Sequence, residues 1–275
     1  MSPYIMESAR ESERISAKTR SVVVRHHLDW AGLRAGQSFV DFGCATGEVA
    51  CEVARLDSRA RVLGLDAHTG RLAKGRAACE REGLRNVAFE AAELAAAGSS
   101  GLADGTFDHA WTRFFLEYHP RPVDVVHEMA RVVRPGGVVT LIDIAGNCVC
   151  HHGMDDRLRH ELDEFMGDLV ATGFDPYAGR KLAGYARAAG LVDVRESVEP
   201  HHFVVGTPDP RTAAEWRVKV ETIRDNYVRR LFPHKAHKAR FFDAFLDFIL
   251  RPDTMTWSVL HLVQGRKPEP GARGI

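Results

Sequence analysis

The stretch Val40-Asp41-Phe42-Gly43-Cys44-Ala45-Thr46-Gly47 constrains the fold more than any other part of the chain. It closes a short apolar run, Ser38 to Phe42, and opens a stretch from Glu48 to Leu56 whose apolar residues recur at helical spacing. A strand that turns on glycines directly into a helix is the opening unit of a parallel α/β sheet. Gly43 and Gly47 let the backbone turn tightly and approach a ligand with no Cβ in the way. In such sheets ligands lie beyond the carboxyl ends of the strands. Asp41, just before the turn, is suited either to hold a ligand's ammonium group or to fix the loop.

The pattern then repeats. Strands are expected at Ala60–Leu65, Val87–Phe89, Phe107–Trp111 and Gly137–Ile144, with helices at His68–Glu82 and Val123–Val133 between them. Short apolar strands alternating with amphipathic helices predict a doubly wound, mostly parallel sheet, seven-stranded once the later strands are included. After Asn147 the pattern changes. Helices at Gly153–Ala171, Lys181–Ala189, Thr212–Phe232 and Lys235–Ile249 interrupt strands at Leu191–Val198 and Thr254–Gly265. The expected organisation is an N-terminal helical lid over 1–35 and a cofactor-binding core over 36–146. A helical cap insertion over 147–182 and core completion over 183–207 follow. A second helical cap insertion over 208–252 precedes the final core strand and tail over 253–275.

A second acid sharpens the first site. Val62-Leu63-Gly64-Leu65-Asp66 is a buried strand ending in a carboxylate, placed to accept both ribose hydroxyls of an adenosine ligand. The alternative is that Asp66 caps the helix beginning near His68. A dinucleotide fold would need G-x-G-x-x-G, but reading from Gly43 the second and third glycine positions are Ala45 and Glu48.

Taken in order, these motifs resemble those of the class I S-adenosylmethionine-dependent methyltransferases, in the UbiE-like branch that includes quinone and natural-product enzymes. Asp41 to Gly47 resembles the family's D-x-G-x-G-x-G, with Ala45 replacing the middle glycine. Leu65-Asp66-Ala67 resembles the second motif, and Phe89-Glu90-Ala91-Ala92-Glu93-Leu94 the third, whose acid or backbone faces the adenine amine. Gly105 to Asp108 with Thr112 to Tyr118 is similar to the fourth strand and its loop. Arg131-Val132-Val133-Arg134-Pro135-Gly136-Gly137 resembles the turn before strand five. The resemblance implies S-adenosyl-L-methionine as cofactor. Its expected contacts are Asp41, Gly43, Cys44, Ala45, Gly47, Asp66, Ala67, Ala92, Glu93, Leu94, Thr112 and Arg113. By the same resemblance Tyr4 contacts the methionine moiety, unless the leader is a frayed terminal helix.

Methyl transfer from a sulfonium is an in-line displacement that needs alignment, exclusion of water and a deprotonated acceptor. Phe114, Tyr118 and His119 after strand four, with Phe174, Tyr177 and Arg180 from the cap, are expected to line the acceptor pocket, while Phe115 reads as core. His152 and His151, expected just beyond strand five, are the first choices for a general base. The expected reaction is transfer to a secondary metabolite or quinone-like aromatic. A cofactor-binding protein catalysing a cyclisation, and a nicotinamide oxidoreductase, are the alternatives.

Composition narrows the partners. Lys plus Arg and Asp plus Glu each number 37, so no global field gathers nucleic acid or anionic lipid. No stretch approaches the ~18 apolar residues of a membrane span, nor does the start resemble a signal peptide. Cys148, Cys150, His151 and His152 lack zinc-site spacing, so no metal is expected. Five scattered cysteines suggest reduced thiols and a cytoplasmic enzyme. The basic run Lys219–Arg240 reads as a solvated helix face, and the aromatic helix around Phe241–Phe248 serves a homodimer interface as readily as a pocket wall.

Overall fold

A computed structural model describes residues 21–94 and 98–271. Tyr4 lies outside the described residues. Helix α1 (Ser21–Ala31) precedes a seven-stranded sheet: β1 (Ser38–Phe42), β2 (Arg61–Asp66), β3 (Val87–Ala91), β4 (Phe107–Arg113), β5 (Val133–His152), β6 (Val192–Val205) and β7 (Met255–Arg266). Its order is β3-β2-β1-β4-β5-β7-β6. The first five strands are parallel, and β7 runs antiparallel to both β5 and β6.

Alternation along the strands divides the core between two faces. Phe39, Trp111, Ile142 and Leu262 pack against α1, α2 (Glu48–Leu56) and α3 (Thr69–Arg81). Val40, Phe42, Leu141 and Val263 pack against α4 (Pro122–Val132) and α6 (Leu182–Ala188). Because both faces are covered, the central strands are apolar on both sides. A third core joins α5 (Asp156–Ala171), α7 (Pro210–Asn226) and α8 (Ala239–Leu250), the helices that follow β5 and β6. Phe165, Trp216, Tyr227, Phe241, Phe242, Phe245 and Phe248 supply most of its bulk. Asp155 and Asp209 cap α5 and α7 by accepting from first-turn backbone N–H groups, which starts these helices sharply. The basic run beside α8 is matched within the cap: Lys235 and Lys238 pair with Asp168 and Glu164, and Arg224 with Asp243.

Three expectations are corrected. Strand five does not end near Ile144. Its ladder with β7 breaks after Ala145, where Cys148 adopts φ 59°, and resumes from Cys150 to His152. His151 and His152 are therefore the last residues of the strand rather than residues beyond it, just as His201 and His202 lie inside β6. The thiols are not all free: Cys51 on α2 and Cys79 on α3 are disulfide-bonded, with Cα atoms 6.3 Å apart. The sequence separation of 28 hides this pairing, which arises because the two helices pack side by side. Among the described residues no helix is long and apolar enough to cross a membrane.

The turn after β1 depends on small residues elsewhere. A Cβ built on Gly64, in the middle of β2, would come within 2.7 Å of the Phe89 ring and 2.8 Å of Cys44 Sγ. Gly64→Val therefore forces the ring and the turn apart and is expected to destabilise the fold by about 1–3 kcal/mol. The check is the midpoint of chemical denaturation. An unshifted midpoint would show that Phe89 does not hold this turn.

Candidate active site

The carboxyl ends of β1, β2 and β4 converge on the glycine turn. Gly43, Ala45 and Gly47 all have positive φ (75°, 51° and 79°). The strain at Ala45, which the sequence marked as a departure, is offset locally. Its N–H donates to Asp66 Oδ2 at 2.9 Å, while Gly43 N and Cys44 N both donate to Leu65 O at 2.9 Å. The other Asp66 oxygen accepts from His68 N at 2.8 Å. Asp66 does not cap α3, since His68 takes that place and accepts from Arg71 N through Nδ1. Each Asp66 oxygen keeps a lone pair for a further donor. A ribose diol fits that remaining capacity.

Ala67 is exposed beside this acid, and Cys44 is buried with its thiol pushed up by burial and by Asp41. Ala92 N donates to Asp66 O at 3.2 Å, so the loop Ala92-Glu93-Leu94 starts next to it, with Glu93 exposed and Leu94 buried. Phe115 fills the space beneath Gly43, where an added Cβ would meet its ring at 2.5 Å. Thr112 is buried and donates to Phe42 O at 2.8 Å, tying β4 to the last residue before the turn.

Asp41 is 3% exposed. Burial pushes its carboxyl up to about 8, Asp66 and Glu48 add to that, and Arg113 opposes it. Burial draws the Arg113 guanidinium down to about 10, with Asp41, Asp143 and Glu199 acting the other way. Perturbations of this kind at the carboxyl ends of strands are characteristic of the ligand edge of such sheets.

The residues expected to line the acceptor pocket divide into groups. Tyr118 and Phe174 meet with ring centroids 5.3 Å apart, joining the loop after β4 to the segment after α5. Phe114, with φ 55°, lies against His201 at 5.4 Å. His119 is buried, 5.8 Å from Phe115, and accepts from Arg121 N through Nδ1. Tyr177 and Arg180 form an exposed cation–π pair at 4.5 Å.

His151 is drawn down to about 4, chiefly by burial. Its Nδ1 is 2.9 Å from Thr256 Oγ1, its Nε2 3.2 Å from Cys148 O, and Phe245 and Phe248 meet it edge-on. His152 is exposed at the end of β5. From Ile142, opposite Leu262, to His152, opposite Met255, β7 advances seven residues (262 − 255), ~23 Å of strand.

Sequence reasoning missed a buried acid pair. Asp143 is fully buried and its carboxyl is pushed well up, by burial first and then by Glu117. Glu117 N donates to Asp143 Oδ2 at 3.0 Å, and Asn147 Nδ2 donates to Glu117 at 3.0 Å. No spacing signals this arrangement, because the break in β5 turns Asn147 toward the β4 loop. His27 on α1 was missed too: it is buried, drawn down to about 4 by burial, and bonded to Glu199 at 3.2 Å.

A family model described as a methyltransferase domain matches residues 40–141, the segment from β1 to β5. The ubiquinone biosynthesis O-methyltransferase of Ralstonia nicotianae is 32% identical over 171 residues, covering 60% of this chain and 68% of that protein. The demethylmenaquinone methyltransferase of Geobacillus stearothermophilus is 28% identical over 226 residues, covering 71% of this chain and 92% of that protein. Among solved structures, the cyclase SpnF aligns over 90% of this chain and 81% of its own, with a TM-score of 0.57 at 20% identity, a likeness of fold.

The buried Asp41 carboxyl has a consequence for stability. Its folded-state value lies above the unfolded one, so its contribution is fully present below about 4 and lost as pH rises through about 8. Asp41→Asn removes that loss. Melting curves of the ligand-free protein should show the variant's advantage growing from pH 5 to pH 8 and then levelling. A constant or shrinking difference would mean that Asp41 ionises normally.

Proposed function

The chain belongs to the class I S-adenosylmethionine-dependent methyltransferases, in their UbiE-like branch, and from that premise we propose that its acceptor is a small, ring-hydroxylated aromatic of quinol or secondary-metabolite type. The observation that carries this reading is the Tyr118–Phe174 contact, which joins the β4 loop to the cap through two aromatic rings. Apolar enclosure with few polar groups suits a small planar acceptor. The named activities of the quinone-biosynthesis relatives agree with it. The cap helices over 147–182 and 208–252 serve as the acceptor-binding part and the strands as the cofactor-binding part.

S-adenosylmethionine supplies the electrophilic methyl group. The residues of this chain then have three tasks. Asp66 receives the ribose hydroxyls, with Glu93 and the Ala92–Leu94 backbone toward the adenine. Asp41 receives the ammonium of the amino-acid tail, and Phe114 and Tyr118 exclude water from the line of transfer. No general base is assigned to His151 or His152 in this reading. The hydrogen bonds of His151 occupy both ring nitrogens, and His152 stands at the outer end of β5. A carbon nucleophile or an already ionised phenol needs no such base.

The deciding experiment supplies labelled S-adenosylmethionine with a panel of hydroquinones and catechols and follows both label transfer and S-adenosylhomocysteine release. Label is expected in an aromatic product. Acceptor consumed with no gain in mass would refute methyl transfer and favour rearrangement chemistry. In the same assay Asp66→Asn should weaken S-adenosylhomocysteine binding roughly 10- to 100-fold, the worth of one or two charge-assisted hydrogen bonds. Unchanged binding would remove Asp66 from the ribose site.

A further inference from the structure

Helix α2 leaves the glycine turn directly, with Gly47 as its cap, and α3 begins just past Asp66. Cys51 lies one turn into α2, and its N–H donates to Gly47 O at 2.8 Å. Cys79 lies one turn beyond Gly75 on α3, where a Cβ on Gly75 would stand 3.0 Å from Thr46 O and 3.2 Å from the Phe89 ring. Residues four apart share a helix face. The Cys51–Cys79 bond therefore joins the two helices one turn past the place where Gly47, Gly75 and Phe89 meet.

Helix α3 has few other holds. Of its thirteen residues only Leu72, Gly75 and Cys79 are buried. Arg76 donates to Phe89 O, and Arg55 on α2 pairs with Glu82 just after α3. That ion pair is exposed, and such pairs contribute little. A covalent cross-link restricts the chain far more. The disulfide is thus the firmest tie between the two helices that frame the turn.

We propose that the Cys51–Cys79 bond is a redox control on cofactor affinity. Closed, it keeps α3 against α2 and the glycine turn in shape. Opened, it lets α3 move off the Phe89 ring, which relaxes the turn and the Asp66 end of β2. This inference rests on the cofactor reading above. The step is dithiol–disulfide exchange. A thiolate of a dithiol reductant attacks one of the two sulfurs, the S–S bond breaks, and the reductant's second thiol then resolves the mixed disulfide. Two electrons and two protons pass to the protein, leaving two cysteine thiols and the reductant as its own disulfide. Both cysteines are buried, so attack requires α3 to move outward, which a bound cofactor opposes. The coupling is reciprocal: the factor by which the closed bond tightens cofactor binding is the factor by which cofactor favours the closed bond.

Calorimetric titration of the full chain with S-adenosylhomocysteine, oxidised and after reduction with dithiothreitol, tests this. Thiol counting in denaturant should find Cys44, Cys148 and Cys150 free before reduction and all five cysteines after it. Reduction is expected to weaken binding roughly 10-fold, within the usual range of coupling between sites, and re-oxidation to restore it. In a thiol–disulfide buffer, S-adenosylhomocysteine should shift the closed fraction by the same factor. Cys51→Ala combined with Cys79→Ala should bind like the reduced protein and ignore the reductant. Equal affinity in the two states overturns the proposal, as does a reductant response that persists in the double variant. So does a reduced protein without a cooperative melting transition, since the bond would then serve the whole fold rather than the site. An oxidised protein that binds no S-adenosylhomocysteine defeats the cofactor reading itself and the proposal with it, which no other outcome does.

Discussion

The Phe89 ring occupies a space that three glycines leave open, and the glycine turn is held in shape by that contact. Added Cβ atoms on Gly47 and Gly64 would lie 2.4 and 2.7 Å from the ring, and one on Gly75 would lie 3.2 Å away. One aromatic side chain on β3 thus touches the start of α2, the middle of β2 and the body of α3. This contact lets the turn run close to the sheet, near enough for Gly43 N and Cys44 N to reach Leu65 O and for Ala45 N to reach Asp66. The loop is shaped before a ligand arrives, so less ordering has to be supplied on binding.

This arrangement explains why so much of the glycine turn was legible in the sequence. Gly43, Gly47 and Asp66 are required by backbone geometry and by one hydrogen-bonding task, both of which act over a few residues. Gly64 and Gly75 carry no such local signal, because their smallness answers to groups distant in sequence, the Phe89 ring for both and Thr46 O, 3.0 Å from a Cβ, for Gly75. Helix α2 was expected over the residues it occupies, and α3 to within one residue at each end, since their apolar spacing is set by packing on the sheet. The Cys51–Cys79 bond between the same two helices could not be read, because it depends on their side-by-side placement.

The chain beyond Ile144 was less legible for a different reason. Strand β5 was expected to stop near Ile144, and its ladder does break there, but the chain resumes pairing with β7 and carries His151 and His152 outward into the cap. A bulge of this kind re-aims side chains without leaving a composition signal. It turns Asn147 onto Glu117, brings Gly146 N and Asn147 N onto Pro176 O at 2.9 and 3.1 Å, and leaves His151 against Phe245 and Phe248. The polar centre beside the β4 loop is therefore the Glu117–Asp143–Asn147 network, built from residues that read singly as a loop acid, a strand acid and a turn.

Asp41, Asp143 and Arg113 together give the ligand-free site its electrostatic character. Burial raises the carboxyl of Asp41, near the end of β1, to about 8 and pushes that of Asp143, inside β5, well up, while the Arg113 guanidinium, drawn down to about 10, keeps its charge near neutral pH. The free site is thus more positive than its residue types suggest. Ionising Asp41 requires a cation beside it, and an ammonium brought in by a ligand is one such cation. Arg113 already favours that ionisation from the neighbouring strand, so the charge state of Asp41 follows what stands beside the guanidinium.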